Sequence, residues 1–402
     1  MRSEGPSPAI LALGTAVPRY RVPQAALCEW LVEALADQPA LARWLRSLYR
    51  LSGIETRYSC LPDASRPPSE SRFVPTRPVA EAPTTAERMA IYEREAVEIG
   101  AAAARRALAG YAGCSEEDVA GPAAEITHLI AVSCTGFFAP GLDIAIAGRI
   151  GLRPGVERSI VGFMGCSAAF NAMRLAAEIV RSRPGARVLV VCAELCSIHA
   201  QPRLDRVNLT VTSLFADGAA ACVIGADESG GRERFVLNRF STTYAENTAD
   251  AMSWRIGDHG FHMTLSPQVP RMVGQIAAPA VDQLLAGRPR PPRWAIHPGG
   301  PSIVDQVAEA LGLTPEQVAP SREVLRNYGN MSSPTILFVL DELRRRMREE
   351  QPPAAEDAVA MAFGPGLVAE MAHLTYLPAG IVLEPTDGAA QRRGERVAAP
   401  VA

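Results

Sequence analysis

Apolar and polar positions fall into two recurring kinds of segment, and their order is informative. Residues 9–18, AILALGTAVP, form an apolar run ending in a turn, which predicts a buried strand. Residues 23–35, PQAALCEWLVEAL, start with proline and keep a helical apolar period. The Pro-, Ser- and Arg-rich stretch 61–86 predicts a long surface loop, followed by a helix at about 86–111 capped by Thr84 or Thr85. An alternation follows: strand 127–135, helix 142–150, strand 158–163, helix 167–182, strand 187–195 and strand 219–226.

The second half repeats that order. Strand 293–298, helix 301–311, a short segment near 322–328, helix 333–350 and strands 357–364 and 367–377 are predicted. The strands are nearly all apolar, as strands covered by helices on both faces are. An α/β protein of two similar halves packed in five layers is expected, with residues 1–230 and 231–380 as the halves and 381–402 as a flexible tail. In such sheets ligands bind beyond the carboxyl ends of the strands.

Composition narrows the function classes. At 402 residues and 48% hydrophobic, the chain can bury a large core. Its net charge of −3 gives no global field for nucleic acid or an anionic membrane, so neither is expected as a partner. All 40 basic residues are arginines, which excludes a lysine Schiff base and leaves anionic ligands to local arginines. The N-terminal segment does not read as a signal peptide and no apolar stretch reaches membrane-spanning length, so a cytoplasmic protein is expected.

Eight cysteines are scattered without a CxxC pair, and His259 and His262 lack nearby carboxylates in a ligand pattern, so no metal site is expected. No GxGxxG joins a strand to a helix, so a dinucleotide site is unsupported. The run 344–350, RRRMREE, reads as the solvated end of a helix.

Three residues fall at strand-to-helix edges. Cys166, in GFMGCSAAF, precedes a long helix, whose start would favour a thiolate and lower the thiol pKa; a small residue chosen for close packing would also fit there. His297 ends the strand RWAIHP before two glycines, and a structural histidine is the alternative. Asn330, in NYGNMSSP, could simply be an N-cap.

Taken together, GFMGCSAAF, AIHPGG, YGNMSSP and AFGPGL resemble the type III polyketide synthases, the chalcone and stilbene synthase-like family, over residues 9–376. The resemblance implies a thiolase-like αβαβα fold and an acyltransferase that condenses malonyl-CoA onto an acyl-CoA starter, as a homodimer and without a metal or redox cofactor. Cys166 would then be the nucleophile, with His297 and Asn330 holding the malonyl thioester carbonyl. Phe215 and Phe261 correspond to the family's gatekeeping phenylalanines, and Gly364, Pro365 and Gly366 to the loop at the cavity floor.

By the same alignment Cys134, Thr135, Cys196, His199, Met252 and Ser332 would line the cavity. Ala139 stands where plant members carry a methionine that crosses the dimer interface, and Met252 where chalcone-forming members have glycine. An alkyl starter is therefore expected to be preferred over an aromatic one. Arg57 is the expected CoA-phosphate contact, with Arg50 or Arg271 beside it. A β-ketoacyl-ACP synthase III-like enzyme shares the Cys-His-Asn order and is the nearest alternative, and a non-catalytic scaffold would normally lack the nucleophile.

Overall fold

The computed structural model describes residues 7–62, 67–73, 79–203, 205–227 and 231–381. Parts of the expected 61–86 loop, and the expected tail from residue 382 on, lie outside the described residues. The first half holds β1 (Pro8–Ala16), β2 (Tyr20–Pro23), α1 (Gln24–Ala34), α2 (Pro39–Leu51), β3 (Thr56–Ser59), α3 (Thr85–Ala112) and α4 (Ala120–Glu125). It continues with β4 (His128–Ser133), α5 (Leu142–Ile150), β5 (Glu157–Gly162), α6 (Ala168–Ser182), β6 (Arg187–Leu195), α7 (Arg206–Leu214) and β7 (Asp217–Ala226). The second half runs through β8 (Arg234–Tyr244), β9 (Met252–Gly257), β10 (Gly260–Leu265), α8 (Val269–Leu285) and β11 (Arg293–Ile296). It ends with α9 (Pro301–Leu311), α10 (Pro315–Tyr328), α11 (Thr335–Glu350), β12 (Glu356–Gly364) and β13 (Val368–Leu377).

Nine strands make one sheet in the order β11-β12-β13-β8-β1-β7-β6-β4-β5. Among the described residues its halves pair at two positions, Ala9 with Val236 and Ile10 with Phe235. From that seam outward β1, β7 and β6 are antiparallel neighbours and β4 then runs parallel to β6. The second half repeats these directions through β8, β13, β12 and β11. The two halves are thus built alike.

Strand β6 shows why the strands are apolar throughout. Val188, Val190 and Cys192 face a core shared with α6, α11 and the second half-sheet, while Leu189, Val191 and Ala193 face α3 and α5. A period of two with both faces covered confines the polar residues of β6 to its ends, Arg187 and Glu194. Helices α8 and α9 cover the outer face of the other half against Met361 and Met371. The layers therefore run helix, sheet, helix, sheet, helix.

Several elements differ from the sequence expectation. The segment near 322–328 is the end of α10, whose Thr314–Gln317 capping box and Pro315 make a regular start; Pro320 interrupts the pattern without ending the helix. β8, the β9–β10 hairpin and α8, with Pro279 inside it, were not anticipated. Thr84 is the cap of α3, in a full capping box with Glu87. Helix α11 begins at Thr335, so Asn330 is not its N-cap.

Candidate active site

Cys166 sits in a single 3-10 turn, Gly165–Ser167, between β5 and α6. Gly165 has φ 70°, and a Cβ there would stand 2.3 Å from Cδ of Pro365. A Cβ on Gly364 would likewise meet the Ser167 hydroxyl at 2.5 Å. Two close approaches thus press the GPG loop of the second half onto the turn that carries Cys166.

His297 follows β11, its amide donating to the Met361 carbonyl at 2.8 Å. Its ring is buried, and neither ring nitrogen has a hydrogen-bond partner among the described residues. Asn330 is fixed by its backbone, whose N–H donates to Leu214 O at 2.9 Å and whose carbonyl accepts from Ala216 N at 2.8 Å. Its Nδ2 donates to Gly299 O at 3.2 Å, and its Oδ1 accepts from the Ser332 amide at 2.8 Å. That last bond helps hold Ser332 at φ 60°, a conformation disfavoured for a residue with a Cβ.

All three side chains line one cavity of about 800 Å³. Phe215, Phe261, Cys134, Thr135, Cys196 and His199 line it too, as do Met252, Ser332 and Pro365. Gly364 and Gly366 do not, and act through the backbone of the loop. Ala139 is exposed and outside the cavity wall.

Burial dominates the electrostatics. It pushes the Cys166 thiol up to about 11, against hydrogen bonds from Ser332 and Asn330, with Glu194 adding to the rise. The expected thiolate-favouring helix start is thus outweighed by desolvation in the resting chain. Burial pushes His297 down to about 3. Burial thus works against the charged form of both groups. Burial also pushes His199 down to about 3. The His199 Nε2 faces the Thr135 carbonyl at 2.7 Å and Nδ1 accepts from Phe261 N at 3.0 Å, which fixes one neutral tautomer.

Three residues were missed or misread from sequence. Glu194, wholly buried at the end of β6, accepts from Ser133 Oγ (3.0 Å), Thr135 Oγ1 (2.6 Å), Ser333 Oγ (2.6 Å) and the amides of Cys134 and Thr135. It ties the Cys134–Thr135 wall to the segment after Asn330; an acid ending an otherwise apolar strand was the available signal. Trp254 lines the cavity and donates from Nε1 to Cys134 O at 2.7 Å. Its ring and that of His199 pack on Phe261, with centroids 5.7 and 4.2 Å away. Arg57 requires a correction: it is 4% exposed, and all three guanidinium nitrogens donate inward. They reach Gln24 Oε1 and the carbonyls of Thr212, Ser213 and Phe215. Its donors are engaged in fixing the end of α7 beside Phe215, which leaves none for a phosphate.

The geometry can be set against known proteins. The chalcone and stilbene synthase N-terminal domain matches residues 1–228, and the C-terminal domain of the same family matches residues 237–378. The chain belongs to the chalcone and stilbene synthase family. As a type III polyketide synthase it is an acyltransferase that condenses malonyl-CoA onto acyl-CoA starters. It is 34% identical over 90% of its length, and 89% of the relative's, to an alpha-pyrone synthesis polyketide synthase-like protein, Pks18, of Mycobacterium tuberculosis. It is 33% identical to a bisdemethoxycurcumin synthase of Oryza sativa subsp. japonica, covering 90% of both chains. Among solved structures it superposes with a TM-score of 0.82 on PKS-I from the brown alga Ectocarpus siliculosus, at 28% identity over 94% of this chain and 100% of that one. The C-terminal type III domain of Steely1, a type I/III hybrid from Dictyostelium, gives 0.81 at 26% identity and the same coverage. No helix among the described residues is long and apolar enough to cross a membrane.

Proposed function

We propose that Cys166 carries the acyl chain while His297 and Asn330 bind the malonyl thioester carbonyl. The observation behind this reading is their convergence from three separate chain segments on one cavity. In loading, the Cys166 proton passes to His297 and the sulfur attacks the starter thioester, forming the acyl–cysteine bond as the thioester's bond to CoA sulfur breaks and the CoA thiolate leaves with the proton held on His297. Malonyl-CoA then loses carbon dioxide, and the electron pair of the broken bond becomes an enolate. The enolate oxygen accepts hydrogen bonds from the second Nδ2 hydrogen of Asn330 and from the imidazole N–H. Its carbon attacks the acyl thioester and returns the thiolate. This chemistry needs no metal or redox cofactor, and CoA thioesters are its only small-molecule requirement.

The starter is an alkyl acyl-CoA or malonyl-CoA itself, because Met252, only 8% exposed, fills the wall where an aromatic ring would lie. The extended chain closes as a pyrone, resorcinol or naphthalene; the likeness to the mycobacterial alpha-pyrone synthesis protein favours the pyrone. A homodimer is supported by β5, an edge strand that exposes Ile160 and is flanked by exposed Phe137, Phe163 and Met164. Phe137 and Phe163 pack on Phe261 at 6.1 and 5.5 Å, so a partner there would buttress the cavity wall. Sedimentation at micromolar concentration should give the dimer mass, and a fully active monomer would refute it. Eight free thiols fit a reducing, cytoplasmic setting.

Carbon dioxide release from malonyl-CoA alone tests the catalytic assignment. His297→Gln and Asn330→Asp should each slow it about a hundredfold, the usual effect of removing one oxyanion donor. An unchanged rate in either variant removes that residue from the site.

A further inference from the structure

We infer that Arg203 and Arg206, at the start of α7, hold the phosphates of the CoA nucleotide. This rests on the reading that the cavity takes CoA thioesters. Both arginines are exposed, and both line the cavity that holds Cys166. Neither guanidinium has a hydrogen bond or ion pair among the described residues, whereas Arg57, deeper in the same wall, spends its donors on the protein's own carbonyls. The chain has no lysine to take the role.

Arg206 is also held in place. Its guanidinium carbon lies 5.3 Å from the Trp44 ring centroid, and Trp44 lines the cavity as well. Contact with an indole orients the planar head and leaves its N–H edges free for an anion. The neighbouring acid, Asp205, does not neutralise the pair by direct contact. Its carboxylate accepts from the amide of Asn208 at 2.9 Å and from the Asn208 side chain at 2.6 Å. Of the other arginines considered for this role, Arg50 and Arg271 are exposed but do not line the cavity.

The remainder of the mouth suits the less polar parts of the cofactor-like substrate. Leu51 and Val207 are 69% and 43% exposed there. Two exposed cations beside an apolar rim match a molecule with phosphates at one end and a pantetheine arm leading inward. Recognition would then reside on α7, whose far end, clamped by Arg57, carries the Phe215 gate. Nucleotide binding and gate position thus lie at opposite ends of one nine-residue helix.

The test compares malonyl-CoA with malonyl-N-acetylcysteamine, which offers the same thioester without the nucleotide. The measured quantity is the ratio of kcat/KM for the two, in wild type, Arg203→Ala, Arg206→Ala and the double variant. Each single change should lower the ratio about tenfold and the pair about a hundredfold, as the loss of one or two charge-assisted contacts predicts. The wild-type ratio should fall with added salt and the double variant's should not. A ratio unchanged in the double variant overturns the assignment, as does a ratio that falls in Arg57→Gln while the double variant keeps it. If the wild-type enzyme turns over neither thioester, the failure lies with the polyketide synthase reading and not with the arginines.

Discussion

At the inner end of the cavity a Cβ on Gly165 would stand 2.3 Å from Pro365, while at the mouth Arg203 and Arg206 touch no charged or hydrogen-bonding partner among the described residues. The inner end is set by backbone contacts between the two halves, which tolerate almost no substitution. The mouth is set by exposed side chains at and just before the start of one short helix. Chemistry depends on three chain segments meeting, and substrate capture depends only on charge near an opening.

The comparison is broken most severely at Gly165. Its φ of 70° and the contact with Pro365 mean that Gly165→Ala must displace either the GPG loop or the Cys166 turn. A loss of about 2 kcal/mol or more in unfolding free energy is expected, together with near-complete loss of condensation. Denaturant titration and product formation measure the two; a variant with wild-type stability and rate would show that the halves are not locked there.

A smaller effect sharpens the contrast from the side of the starter. Met252→Gly opens the wall between β9 and the GPG loop, where the Gly366 amide donates to the Met252 carbonyl at 2.9 Å. The preference for fatty acyl-CoA over coumaroyl-CoA should shift toward the aromatic starter by roughly 1 to 3 kcal/mol in relative kcat/KM, so selectivity is graded. Competition of both starters in one reaction measures it. A clear coumaroyl preference in the unmutated enzyme would refute the alkyl assignment.

What the sequence made legible follows the same division. The edges carrying Cys166 and His297 were readable because each motif joins a strand to a turn or helix within a few residues; Asn330 was expected at such an edge too, but it lies between α10 and α11, and only its motif marked it. The five layers were readable because buried strands such as β6 are apolar on both faces. Helix α10 was broken up in the reading by Pro320, which a capped, packed helix tolerates. Strand β8 was passed over because only its first four residues are fully buried before polar, part-exposed positions take over. The role of Arg57 was not legible: that Gln24 and three carbonyls at the end of α7 converge on it depends on how distant segments pack. Glu194 is a similar case, since its donors come from β4 and from the segment before α11.

The central claim is that Cys166, and not another thiol of the same cavity, carries the acyl group. Cys134 and Cys196 also line that cavity, and burial raises both thiols well above the ordinary value, as it raises Cys166. Cys196 opens a 3-10 turn after β6, but Cys166 stands on the turn that runs straight into the first turn of α6, and that position distinguishes it. The most direct measurement is peptide mass spectrometry after brief incubation with a fatty acyl-CoA in the absence of malonyl-CoA. The expected result is an acyl adduct on the peptide containing Cys166, absent in Cys166→Ala; an adduct on Cys134 or Cys196, or one that persists in Cys166→Ala, would contradict the account.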